Sequence, residues 1–168
     1  MFKSYSELVE TCEFVALEEL LNHGFDPTQP DDYGVFVLDP VCEVLNIELA
    51  SELIKAGANV NSKSSTGFTP LLAAIECAHH DPAKAVELVK LLLDSGADIE
   101  GRGEWDKTPF LKSCTRGVIE LTELLVSRGC DINATAAELG GPMGALEFAD
   151  MPANSREFRD YISGLFHS

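Results

Sequence analysis

Apolar residues return at helical spacing along this chain, and several runs of them stop at a glycine. In "VELVKLLLDSG", Val86, Val89, Leu92 and Leu93 fall on one side of a helix, and Gly96 stands where a left-handed residue closes the last turn. Three other segments end alike: "LLNHGFDP" at Gly24, "LIKAGANV" at Gly57 and "LVSRGCDI" at Gly129. The intervals Gly24 to Gly57 and Gly96 to Gly129 are equal, and the one from Gly57 to Gly96 is longer by six positions. Upstream, "GFTPLLAAI" and "DKTPFLKSC" align, with Thr69 and Thr108 separated just as Gly57 and Gly96 are. Each threonine suits a helix N-cap, and Pro70 and Pro109 follow at the first helical position, where a missing N–H costs nothing. The repeated unit is therefore helix, turn, helix, turn. Paired antiparallel helices are predicted over about 5–27, 36–57, 69–96, 108–129 and 143–166, with Leu92 and Leu124 in the core between stacked pairs.

The surplus of the middle interval lies between two helices. The stretch from Thr69 to Gly96 exceeds that from Thr108 to Gly129 by the same six positions, so the excess falls around "CAHHDPAKA". Asp81-Pro82 is a helix-start signal, which predicts a longer second helix from about Pro82 and no break in the stack.

This pattern closely resembles the ankyrin repeat, whose units run from a polar turn with Gly through Thr-Pro-Leu-His and Ala-Ala to a Leu-rich second helix and Gly-Ala-Asp/Asn. Residues 67–99 and 106–133 match well, whereas the unit around 34–61 reads "FVLDP" where Thr-Pro-Leu-His would stand. Residues 3–26 keep only the second-helix half and residues 140–168 are looser, as terminal repeats with one neighbour tend to be. The resemblance implies an all-α ankyrin-repeat solenoid of about five helix-turn-helix units with short hairpin-like fingers. It forms one domain over 1–168, with repeats at about 1–30, 31–63, 64–102, 103–135 and 136–168.

Composition narrows what such a chain does. With 45 % hydrophobic and 24 % charged residues it reads as soluble and globular, which excludes a disordered tail. The formal net charge of −16 repels nucleic acid and anionic lipid and attracts basic proteins. Residues 1–68 carry −9 of that charge and residues 69–168 carry −7, so the N-terminal part is the denser. Glu7, Glu10 and Glu13 interrupt any secretory leader, and five cysteines without short paired spacing fit a reducing compartment. A cytoplasmic protein, a monomer or weak dimer, is the expectation.

Catalytic and metal chemistry find little footing. His79, His80 and Asp81 are consecutive, and adjacent residues on a helix do not face one another, so they read as a solvated loop tip. Cys42 and Cys114 stand two repeats apart in one phase, which marks packing and not a nucleophile. "GRGEWDKTP" and "ELGGPMGALEFA" lack the lysine and spacing of a phosphate-cradling loop. No cofactor, metal or catalytic residue is predicted, and the chain is read as a non-enzyme.

What the resemblance implies is a binding surface made of finger turns and the inner faces of the first helices. By phase, the finger tips carry Asp32 and Tyr33, Ser65 and Thr66, Glu104 and Trp105, and Glu138 and Leu139. Val35, Phe68 and Lys107 follow, and the ends of the first helices bring Glu43 and Val44, Glu76 and Cys77, and Thr115 and Arg116. Large aromatic groups among carboxylates suit the surface of a basic protein partner. Two readings stand. One is an inhibitor of that partner, of the kind small acidic ankyrin proteins resemble when they serve as cytoplasmic immunity proteins against a toxin or effector. The other is an adaptor or assembly subunit that docks a partner without blocking it.

Overall fold

The computed structural model describes Tyr5 and residues 26–65, 67–138 and 141–167, with Glu104 and Glu138 described by their backbone alone. The helix pair expected over 5–27 therefore lies almost wholly outside the described residues. The next pair is α1 (Leu38–Glu43) and α2 (Ile47–Lys55). The third is α3 (Pro70–Glu76), a 3₁₀ turn over Cys77–His79, and α4 (Pro82–Asp94). Then come α5 (Pro109–Arg116) and α6 (Ile119–Ser127), a hairpin of β1 (Ala136–Glu138) and β2 (Gly141–Met143), and finally α7 (Ala145–Ala149) and α8 (Arg156–Leu165).

Local chemistry sets these boundaries. The Thr69 and Thr108 hydroxyls accept from the backbone N–H of Leu72 and Leu111, each with proline next in line. Asn46, Asp81 and Ser155 cap α2, α4 and α8 in the same manner. Phe36 stands at the repeat phase of Thr69 and Thr108, and Val37, which takes the N-cap position of α1, offers no side-chain cap. At the far end of α4, Gly96 takes φ 91°, and the N–H of Ala97 reaches back to the Leu92 carbonyl at 2.9 Å. The same closure recurs from Ala58 to Leu53 and from Cys130 to Leu125.

Packing follows the repeat. The first helices α1, α3, α5 and α7 stack in one row, and α2, α4 and α6 stack in a second. Between the rows lie Leu53, Leu88, Leu92, Leu121 and Leu125, all fully buried. Leu124 is only partly buried at the edge of this core, contrary to expectation. Leu125, not Leu124, lies one repeat after Leu92, as Gly129 lies one repeat after Gly96, and shares its inward phase. The surplus of the middle repeat is absorbed as predicted, by the 3₁₀ turn and by an α4 of 13 residues against nine in α2 and α6. Cys42 and Cys114 are sealed in the first-helix row, joined in phase by buried Ile75. His79 and His80 are exposed with ring centroids 3.8 Å apart.

Candidate protein-docking surface

Each of three finger turns is a five-residue loop closed by the same two backbone hydrogen bonds. In the first, Asp31 N–H donates to Val35 O (2.9 Å) and Gly34 N–H to Asp31 O (3.0 Å). Ser64 to Phe68 (2.9 Å) with Gly67 to Ser64 (2.9 Å), and Gly103 to Lys107 (3.1 Å) with Asp106 to Gly103 (3.1 Å), repeat the design. Sequence phase thus becomes geometry. Tyr33 and Trp105 occupy the third position of their loops, the tip, and Val35, Phe68 and Lys107 close them. Tyr33 is 64 % and Trp105 60 % exposed, two of the four large apolar side chains left so open among the described residues. The others, Val44 and Leu146, lie at the end of α1 and on α7.

The first finger is braced by Asp31, whose carboxylate accepts from the N–H groups of Tyr33 and Val35, both at 2.9 Å. This leaves Asp32 exposed beside Tyr33. The third finger departs from the others. Gly34 and Gly67 hold the fourth loop position with φ 77° and 86°, and Asp106 holds it here with φ 57°. Trp105 before it is also left-handed, at φ 58°. For residues with a Cβ that conformation costs on the order of 1–2 kcal/mol each, so something must hold this tip in place.

The inner helices supply the floor. Glu76, at the end of α3, forms ion pairs with Lys112 and Arg116 from α5, and all three side chains are one-third exposed or less. Burial alone would raise the Glu76 carboxyl, but the hydrogen bonds and positive charges of Lys112 and Arg116 outweigh it and hold the group below the usual carboxylate range. Lys112 Nζ also lies 5.3 Å from the centre of the Phe68 ring, and Lys107 Nζ 4.8 Å from that of Phe148. The middle of the surface is therefore charge-compensated from within, and Glu76 and Arg116 are engaged with each other.

The remaining sequence-predicted positions are placed as follows. Val35 and Phe68 are half-buried, and Glu43 is exposed at the end of α1. Thr115 is half-buried and its hydroxyl donates to Lys112 O at 2.7 Å. Cys77 is half-buried beside Glu76, and burial raises its thiol. Thr66 and Leu139 lie outside the described residues, and Glu104 and Glu138 are placed by backbone only, in the third turn and at the end of β1. Sequence phase alone overlooked Lys112 and Arg102. The signal for Lys112 was its four-residue spacing from Arg116, which puts both on one face of α5. Arg102 shares the repeat phase of Lys63 and Thr135, but the contacts that use this phase join different turns and form only when the repeats stack.

Burial pushes the Cys114 and Cys130 thiols up to about 12, away from nucleophilic thiolate. Among the described residues, no group of three or more His, Cys, Asp or Glu converges as a metal set, and no helix is long and apolar enough to cross a membrane.

Comparison with known proteins agrees with the repeat geometry. The family model described as ankyrin repeats (3 copies) matches residues 8–101 and 41–136. The putative ankyrin repeat protein YahD of Escherichia coli K12 is 33 % identical over 109 residues, which cover 61 % of this chain and 54 % of the relative. The mouse ankyrin repeat, SAM and basic leucine zipper domain-containing protein 1 is 36 % identical over 106 residues, 58 % of this chain and 20 % of its own length. The mouse RelA-associated inhibitor is 36 % identical over 80 residues, 48 % of this chain and 10 % of that protein. The chain thus spans about half of the first relative and a fifth or less of the other two. The match to the family model over more than half of the chain, together with helix pairs stacked in step with the sequence repeat, places this protein in the ankyrin-repeat family, a non-catalytic scaffold whose repeats bind protein partners.

Proposed function

We propose that this protein captures a basic protein partner on its finger tips and the adjoining concave floor, and that capture inhibits the partner, as a cytoplasmic immunity protein would neutralise a toxin. The observation that carries this reading is the presentation of Tyr33 and Trp105 at equivalent tips, 64 % and 60 % exposed. Aromatic side chains of this size gain most from being desolvated by a partner and lose little conformational freedom in doing so. Charge sets the partner's sign. The chain carries −16, and Asp32 and Glu43 stand exposed on the same surface. With Glu76 engaged by Lys112 and Arg116, steering falls to these outer carboxylates and to the field of the whole molecule. Glu104, Glu138 and Thr66 take places in the contact by their phase in the repeat, as do Val35 and Phe68.

The test begins with affinity capture from the source organism's lysate, followed by binding kinetics on the purified partner. Trp105→Ala is expected to weaken binding by about 2 kcal/mol or more, mainly through faster dissociation. Unchanged affinity in both Trp105→Ala and Tyr33→Ala would remove the anchors from the proposal. Co-expression then separates inhibitor from adaptor: suppression of the partner's activity supports inhibition, and tight binding with full partner activity makes the protein an adaptor.

A further inference from the structure

Arg102 stands where the preceding finger has Lys63, in the same repeat phase. Lys63 Nζ donates to the backbone carbonyl of Arg102 at 2.9 Å, lacing the second turn to the third. Arg102 continues the lacing. Its Nη1 donates to Thr135 O at 2.9 Å, and Thr135 is the next residue in that phase. The same nitrogen also reaches Asp106 O at 2.6 Å and Asp106 Oδ2 at 2.9 Å. One nitrogen with two N–H groups thus serves three acceptors, so at least one bond is shared.

The acceptor Asp106 sits where Gly34 and Gly67 close the earlier fingers. A glycine would take this left-handed backbone without strain, but it would offer Arg102 no carboxylate. Replacing glycine by aspartate makes the turn less comfortable and gives the guanidinium a charged hold on it. The residue immediately before that hold is Trp105, also in the left-handed region and 60 % exposed. On the other side, Lys107 closes the loop with its carbonyl and sends its side chain over the Phe148 ring. The third finger is therefore held by the residue just before its loop, which also reaches the next finger, and by the contact of Lys107 with the last helix pair.

We propose that Arg102 is a positioning residue that fixes the third finger in its strained conformation and so holds Trp105 in place as an anchor before any partner arrives. This rests on the reading of Trp105 as a partner contact, and it adds the means by which that contact is pre-organised. An anchor whose backbone is already ordered loses less freedom on binding, which is where a rigid tip helps affinity.

Trp105 is the chain's one tryptophan, so its fluorescence reports this tip alone. The full-length protein, Arg102→Ala and Arg102→Lys would be compared by time-resolved anisotropy and by quenching with acrylamide, well below their melting temperatures. In Arg102→Ala the amplitude of nanosecond local motion of Trp105 is expected to rise at least about two-fold, with unchanged far-UV circular dichroism. Arg102→Lys should return most of the rigidity, because Lys63 shows that a lysine at this phase reaches the neighbouring carbonyl. Equal anisotropy decay and equal quenching in the parent and Arg102→Ala, both folded, would overturn the proposal. So would a loosened tip that Arg102→Lys leaves as loose as alanine does. No partner enters these measurements. Failure of Trp105→Ala to alter partner capture would count against the anchor reading, and the fluorescence decides the positioning claim separately.

Discussion

Asp39 is a carboxyl group in a position where the neighbouring repeats have leucine. Leu72 and Leu111 share its phase, and all three are buried, Asp39 with 3 % exposure. Neither Asp39 carboxyl oxygen has a hydrogen-bond partner. Burial, with a further push from Glu43, raises its pKa to about 8. In the unfolded chain the same group titrates near an ordinary aspartate value of about 3.9. Below that value both states are protonated and the group does not oppose folding. Between the two values only the unfolded chain ionises, so stability falls as pH rises towards the folded pKa, by up to about 1.4 kcal/mol per pH unit. Asp39→Leu should therefore raise the melting temperature, with a gain that widens between about pH 4.5 and pH 7.5 and reaches a few kcal/mol. Melts of both proteins across this range check the sign, since a gain independent of pH would show that Asp39 is already ionised in the fold.

At the scale of elements, the second helices hold the stack and the last helix pair is pinned by one side chain. Leu92 and Leu125 fill equivalent sites between the helix rows, and truncation of either to alanine should destabilise by about 2–5 kcal/mol because a cavity remains. Leu124→Ala should cost less than Leu125→Ala, and His79→Ala should change little, since the ring lies exposed on the inserted turn. Urea denaturation of the four variants gives the order directly. The pin is Asn154, buried before α8, whose Nδ2 donates to the carbonyls of Cys114 (2.9 Å), Phe148 (3.0 Å) and Ala149 (3.2 Å). It ties the end of α7 to α5. A Cβ added at Gly117 would lie 2.3 Å from Asn154 Oδ1, so this side chain leaves no space at the exit of α5. Asn154→Ala removes the side-chain donor to the carbonyls of Cys114, Phe148 and Ala149, of which Phe148 O keeps the Met151 N–H at 3.4 Å, and should cost about 1–3 kcal/mol. Hydrogen exchange is expected to show α7 and α8 losing protection ahead of α3–α6; uniform loss across the chain would contradict the pin.

For the molecule as a whole, charge and repeat architecture act on different quantities. Stacking of like repeats makes one continuous surface out of turns far apart in sequence. The net charge of −16 acts over that surface at long range and, on the proposed function, would govern the approach of a basic partner. Raising ionic strength from about 0.05 to 0.5 M should slow association roughly ten-fold or more and leave dissociation nearly unchanged, because screening shortens the reach of the field without touching desolvated contacts. Asp32→Asn should follow the first behaviour and Trp105→Ala the second. Stopped-flow rates at the two salt concentrations resolve them. A partner whose association ignores salt would not be recognised through charge.

The sequence by itself determined the repeat, its period and its phase. Apolar spacing, Thr-Pro starts and glycine stops are local devices, and each works within a few residues of itself, so helices and their order were legible from Gly57 to Gly129. The surplus around His79 was legible for the same reason. Which of two adjacent leucines turns inward was decided by how α6 sits on α4, and Leu125 took the place expected of Leu124. The finger positions of Tyr33 and Trp105 followed from phase. The ion-pair state of Glu76 did not, because Lys112 and Arg116 approach it from a helix of the next repeat. The grip of Arg102 on Asp106 and Thr135, and the lack of a partner for Asp39, likewise arise only when turns and helices of different repeats meet. Periodicity is a property of neighbours in the chain and can be read from it. Charge compensation, strain and burial are properties of neighbours in space, and those are created by the stack.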